Sequence, residues 1–405
     1  MKSDEAEVVI VGAGPAGMMA GYLLARAGVR VVVLEKHDDF LRDFRGDTVH
    51  PSTMQILDEL GLLRKFLARP HNRIDRAEID WNGSSYTVGD LSHLAMAAPF
   101  IAMMPQWDFL EFLRMEAESL PDFALRRGCE VVKMLRSEER RFCGVELVNG
   151  ERVGARKLVL MCDGRRSLAR QELPVRSLGV PIDVFWFSIP KDHAEGTLRG
   201  AVSGNRLMVM IDRDSYWQCA LVIAKGSAEA IRSRGIAAFR DELQSIAPAL
   251  SRLEDALPTF DSIKLLSVSL DRLDDWSLPG LLAIGDAAHA MSPVGGVGIN
   301  LAIQDAVCAA NVLAGPLAKD RNVDDLLAKV QRRRMVPTRI IQAGQAAIHR
   351  NVLEPLLSSG PAVASKAPLA LRLLDRFAIL RRIPGYVIGH GIRMEHVRSP
   401  ALPRG

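Results

Sequence analysis

Near its start the chain carries Gly12-Ala13-Gly14-Pro15-Ala16-Gly17, set between an apolar run at residues 8–11 and a helical stretch that reaches about Ala27. No other feature restricts the fold as much. Gly12 permits a tight turn, and Gly14 lets a diphosphate approach the backbone. Gly17 lets the helix pack close to the strand, with its positive end toward the phosphates. Gly28 stands where a helix C-cap belongs, and residues 29–34 read as a second, β-branched strand. This strand–helix–strand opening implies a parallel sheet. Glu35 closes the second strand, where its carboxylate can accept hydrogen bonds from a ribose hydroxyl. Its charge would repel a 2′-phosphate, so the site suits FAD or NAD better than NADP. Ala16 and Lys36 join the positions read as lining this nucleotide.

A second signal lies far along the chain. Leu282-Ala283-Ile284-Gly285-Asp286-Ala287-Ala288-His289 reads as a buried strand that stops at Gly285 with Asp286 at its tip. The glycine loop Pro293-Val294-Gly295-Gly296-Val297-Gly298-Ile299-Asn300 follows, and a helix is expected to start near Leu301. A helix N-terminus stabilises negative charge. That suits the N1–C2=O edge of a reduced flavin. An NAD dehydrogenase has no need of this second site, whereas FAD is long enough to span both.

Between these signals the pattern is rich in short strands and turns. The expected fold class is α/β: a Rossmann-type FAD-binding domain from non-contiguous segments, an inserted β-rich substrate domain and a helical C-terminal part. The segments are 1–72, 103–174 and 268–350 for the FAD-binding domain and 73–102 and 175–267 for the substrate domain. Residues 351–405 form the C-terminal helical segment.

The totals exclude several other classes. The 405 residues are 48% hydrophobic and 25% charged, an ordinary enzyme composition with a net charge of only +4. Nucleic acid is not an expected partner. Five cysteines, with no CxxC pair, predict a reduced, cytoplasmic protein. No leader peptide and no apolar run of ~18 residues is read. The nine histidines lack metal-ligand spacing, so no metal is expected. Ser292 is not in a GxSxG elbow, which argues against a hydrolase.

A third motif, Cys162-Asp163-Gly164-Arg165-Arg166-Ser167-Leu168-Ala169-Arg170, starts where an apolar run ends. With the other two, in this order, the chain resembles the class A flavoprotein monooxygenases of the p-hydroxybenzoate hydroxylase type. The resemblance implies non-covalent FAD, with NADPH or NADH as a transient co-substrate that has no domain of its own. It implies hydroxylation of an aromatic or polyketide-like substrate by O₂ through a flavin C4a-hydroperoxide, in a monomer or homodimer. It implies that Asp286 holds the ribityl chain and that Asp163 serves FAD and, indirectly, the pyridine nucleotide. Arg45 and Gln106 match residues that contact the flavin side and the ribityl or phosphate region. Pro293, Gly295, Gly296, Gly298, Ile299 and Asn300 would line the pyrimidine edge. Met208, Met210 and Trp217 lie on two strands that the family uses to line the substrate pocket. No catalytic acid or base is assigned, because His289 reads equally well as a structural histidine.

Two further stretches bear on alternatives. Phe185-Trp186-Phe187-Ser188-Ile189-Pro190 resembles the WxWxIP motif of flavin-dependent halogenases, but Trp186 is out of step by one residue and faces the opposite side of a strand. The segment is read as a packing strand; a halogenase and a non-oxygenating FAD reductase stay as alternatives. Residues 366–405 hold eight Lys and Arg against Asp375 and Glu395. Leu369, Leu373, Phe377 and Leu380 fall on one helical face there. A helix docked on the cofactor domain or at a dimer contact is the expected use, with a membrane-surface helix as the other reading.

Overall fold

The computed structural model describes residues 6–41, 48–191, 198–213, 215–248, 250–358 and 367–402. One sheet is built around the strand Ala6–Val11, all of it buried. Such a strand is apolar on both faces because a parallel sheet is covered on both sides. It pairs in parallel with Val31–Leu34 on one side and Arg152–Met161 on the other. Phe123–Arg126 continues the sheet beyond the first of these, and Leu281–Ala283 beyond the second, both also parallel. Pieces from far apart in the chain therefore end on the same edge of one sheet.

Two helices pack on each other beside this sheet, Pro15–Arg26 and Gly298–Ala318. The second is apolar enough to cross a membrane by composition, yet 83% of its most apolar window is buried, as in a core helix. It starts at Gly298 rather than near Leu301, because Val297 already has helical dihedrals (φ −85°, ψ −12°) and the loop runs straight into it.

The other large sheet has seven strands, in the order 264–266, 182–190, 216–224, 206–212, 198–203, 76–81 and 84–90. Side chains alternate between its faces. Phe185, Phe187 and Ile189 enter a core backed by the helix Ile236–Ile246, where Phe239 meets both Phe rings edge-on at 5.8 Å. Trp186 takes the opposite face, as its place in the alternation requires. Met208, Met210 and Trp217 do not line a pocket on that opposite face. They are buried in the helix-backed core with Phe185 and Phe187. A shift of one residue reverses a strand's faces, so the side chains turned the other way are Leu207 and Val209, which pack against the same apolar cluster as Val294 of the glycine loop.

The C-terminal stretch also differs from expectation. The single helical face breaks at Phe377, whose extended backbone (φ −115°, ψ 103°) separates Leu369–Arg376 from Ala378–Gly389. The first helix docks through Leu371 onto Trp81 and Val202 of the seven-stranded sheet. The second is seated through glycines. A Cβ on Gly385 would lie 2.0 Å from the Asp90 carbonyl oxygen, and one on Gly389 would lie 2.5 Å from Leu94. The stripe expected to dock faces outward instead, with Leu369 63% and Phe377 46% exposed.

Candidate functional site

The parallel strand ends bring the three sequence motifs together. Gly12 turns with φ +96°, and a Cβ there would meet the Cys162 carbonyl oxygen at 2.5 Å. The first and third motifs are thus in backbone contact at the sheet edge. A Cβ on Gly17 would lie 2.0 Å from the Gly12 carbonyl oxygen, so the helix Pro15–Arg26 reaches the turn only because that position is bare. Gly14 has nothing within 4 Å of its missing Cβ. Turn, close packing and open backbone therefore fall on the three glycines as the diphosphate reading requires. Glu35 sits beside them, its carboxylate accepting from the backbone N–H of Ala13 at 3.0 Å and of His37 at 3.1 Å. Lys36, next in the chain, is exposed.

Gly285 closes the site from the other side. Its φ is +60°, and a Cβ would lie 3.1 Å from Ala16 and 3.2 Å from Ala302. Asp286 follows, half-exposed, with Oδ2 3.3 Å from Arg165 Nε. Arg170 donates to the carbonyls of Asp286 and Ala287 and to the Asp271 carboxylate at 2.8–3.1 Å. Arg165 and Arg170 of the third motif thus anchor the turn that carries Asp286. Asp163 accepts from Leu168 N–H at 3.1 Å through one oxygen, and its other oxygen is buried without a partner. Burial raises its pKa, against the bonds from Ser167 and Leu168.

A buried charge network holds the same turn from below. Asp305 Oδ2 accepts from Gly285 N–H at 3.1 Å and from His289 Nε2 at 2.6 Å, and its Oδ1 accepts from Arg334 Nε at 2.8 Å. All three side chains are 0–1% exposed. Burial alone would raise the Asp305 pKa, but His289 and Arg334 hold it below the ordinary carboxylate value. His289 is occupied by this contact, which gives it a positioning role. Sequence reading missed Asp305, whose signal is that it is the one charged residue of the helix Gly298–Ala318. Arg334 had no comparable signal.

In the glycine loop, Gly295 and Gly296 have φ of +81° and +62°, and a Cβ on Gly296 would strike Thr48 Oγ1 at 2.6 Å. Thr48 donates to the Gly296 carbonyl at 2.9 Å. Asn300 spends its side chain on protein partners. Its oxygen accepts from His50 N–H and Thr53 Oγ, and its amide donates to the carbonyls of Thr48 and Gly296. Asn300 therefore clamps the loop, leaving its backbone, with Ile299 and Gly298, at the helix N-terminus. Gly298 is open, with nothing within 4 Å of its missing Cβ. Pro293 opens the loop in a helical conformation. His50 is fully buried, its Nδ1 2.9 Å from the Ile388 carbonyl, and burial lowers its pKa to about 4. Gln106 begins the helix Gln106–Glu118, which packs along Pro15–Arg26. Arg45 lies outside the described residues.

The bare backbone at Gly14 and Gly298, the turn at Gly285 between them and the acidic groups Glu35 and Asp286 fit a long dinucleotide. Known proteins agree. A family model described as an FAD binding domain matches residues 5–344. The chain is 28% identical over 414 residues to 6-methylpretetramide 4-monooxygenase of Streptomyces rimosus, covering 98% of this chain and 96% of that one. In fold it is similar to p-nitrophenol 4-monooxygenase PnpA of Pseudomonas putida, with a TM-score of 0.76, 20% identity and coverage of 96% and 99%. It is also similar to the myxobacterial chondrochloren halogenase CndH, with a TM-score of 0.71, 18% identity and coverage of 96% and 98%. The chain belongs to the FAD-binding family of the class A aromatic hydroxylases, and it is an FAD-dependent monooxygenase.

Proposed function

We propose that the chain uses NADPH or NADH and O₂ to hydroxylate a polycyclic phenol or a similar polyketide-derived ring. The observation that carries the substrate class is the apolar, half-buried face formed by Trp186, Leu207 and Val209, which shares one apolar cluster with Val294 of the glycine loop. A flat apolar ring suits such a face, whereas a small charged acid finds no buried cation among these residues. The full-length similarity to a monooxygenase whose name specifies a pretetramide supports the same class.

Bound FAD would supply the two-electron activation of O₂. Everything else falls to the protein. Gly12, Gly14, Ala16 and Gly17 would cradle the diphosphate, with Glu35 and Lys36 toward the adenosine ribose. Asp286 would exchange Arg165 for a ribityl hydroxyl, and Asp163 and Gln106 would border the ribityl and phosphate region. The backbone of residues 293–300 would present N–H groups to the pyrimidine edge, where negative charge develops on reduction. The apolar face would exclude water from the reacting ring.

The decisive measurement is pyridine-nucleotide oxidation with a panel of polycyclic phenols under ¹⁸O₂. The expected product is heavier by one ¹⁸O atom, and the correct phenol should accelerate nucleotide oxidation. Label entering from water, or product formed only with chloride or bromide, would overturn this reading and favour a reductase or a halogenase.

A further inference from the structure

The helix Ala378–Gly389 is held by one face, and another face is left exposed among the described residues. Gly385 and Gly389, one turn apart, sit against Asp90, Leu91 and Leu94. A neighbouring face carries Ile379, Ile383 and Tyr386, which are 70%, 61% and 50% exposed, the Tyr386 ring stacked on His390 at 4.5 Å. Their spacing of four and three residues makes a continuous stripe. Leu369, Leu373 and Phe377 of the preceding helical turns are exposed as well. Isolated apolar residues on a surface need no explanation, but six large ones within eighteen residues do.

The charges beside them have one sign. Arg372, Arg376 and Arg382 are exposed. The two acidic residues of this part of the chain are turned inward. Asp375 accepts from the Thr87 backbone N–H at 3.0 Å, and Glu395 is buried and paired with Arg333. A second copy of the chain is a poor occupant. In a two-fold contact a patch meets itself, which would bring these arginines together with no carboxylate to separate them. Apolar side chains rimmed by arginine match instead the boundary between acyl chains and anionic headgroups, where tyrosine is also favoured.

We propose that the outer face of the two C-terminal helices docks on an anionic lipid bilayer as an in-plane amphipathic surface, with no segment crossing it. The same helix borders the candidate site. The Ile388 carbonyl meets His50, and the Ile388 side chain lies 3.9 Å from the position of a Cβ on Gly295. An apolar ring dissolved in lipid would then be concentrated near the glycine loop.

The test is co-sedimentation of the full, FAD-loaded chain with vesicles. Vesicles of phosphatidylcholine with roughly 30 mol % phosphatidylglycerol should pellet about ten-fold more protein than pure phosphatidylcholine, and about 0.5 M salt should remove the difference. The Ile379→Ser/Ile383→Ser variant should bind the anionic vesicles at least about ten-fold more weakly while keeping its FAD and circular dichroism, because both side chains are exposed. Arg376→Gln/Arg382→Gln should lose the preference for anionic lipid. Equal pelleting with and without vesicles would overturn the proposal. So would a wild-type dimer, by light scattering, that the serine pair converts to monomer. The salt titration on unaltered protein decides the matter even if a variant misfolds.

Discussion

Asp286 and His50 show how single residues near the glycine turns are set for different tasks. Asp286 is half-exposed at the tip of a strand, and among the described residues its charged partner is Arg165. If it accepts a ribityl hydroxyl, Asp286→Ala removes a charged acceptor worth about 1.5–3 kcal/mol. FAD affinity should fall roughly 10- to 150-fold, at 1.4 kcal/mol per decade, with the circular dichroism unchanged. Titration of FAD into wild-type and variant apoprotein measures it, and an unchanged affinity would remove Asp286 from the site. His50 has the opposite setting, because burial drops its pKa from 6.5 to about 4. Between those values the unfolded chain takes up a proton that the folded chain refuses. Stability therefore falls as pH drops from about 6.5 toward 4, by about 3 kcal/mol from this one group. Urea melts across that range should show a shallower pH slope for His50→Asn than for wild type. Parallel slopes would mean that His50 is solvated.

At the scale of elements, the Gly285 turn is the junction that matters. It touches the helices Pro15–Arg26 and Gly298–Ala318 through Ala16 and Ala302, and it hangs from Asp305 by its own N–H. Asp305→Asn would leave the buried Arg334 with only the more distant Glu395 carboxylate, at 3.6 Å, and breaking a buried pair in this way costs up to about 3 kcal/mol. We expect that loss in urea melts at neutral pH. We also expect faster FAD release from the folded variant, because the turn carrying Asp286 is no longer fixed. A destabilised variant that holds FAD as tightly as wild type would confine Asp305 to a packing role. The Asp305 carboxyl titrates below its ordinary value in the fold, so its contribution is present at neutral pH and is lost as pH falls through the acid range.

For the whole molecule, the cofactor connects strands that are distant in sequence. Ala6–Val11, Arg152–Met161 and Leu281–Ala283 all end on the edge where FAD would lie. A ligand that binds only the folded state adds about 2.7 kcal/mol at a concentration 100-fold above its Kd. Thermal melts should therefore rise with added FAD, and denaturation should release the flavin into solution. Flavin retained on the precipitated protein would show a covalent bond and contradict the expectation. The absence of any FAD effect on the melt would place the cofactor elsewhere.

The sequence by itself determined the elements whose reasons are local. The roles read for Gly12, Gly14 and Gly17 follow from backbone geometry at single positions, and the structure has a left-handed turn at Gly12, open backbone at Gly14 and close helix packing at Gly17. The family and the α/β fold were legible in three motifs because a bound dinucleotide demands them in a fixed order. What only the tertiary structure decided depends on which face meets which neighbour. The alternation of residues 206–224 is the same whether Met208 or Leu207 faces the glycine loop, and packing against Phe239 settles it in favour of Leu207. That the Asn300 side chain is spent on Thr48, Thr53 and His50, some 250 positions away in the chain, could be decided only by the tertiary structure. The C-terminal stripe read as a docking face by periodicity, yet glycines without side chains do the docking. Their close approach to Asp90 outweighs an apolar face that stays exposed among the described residues.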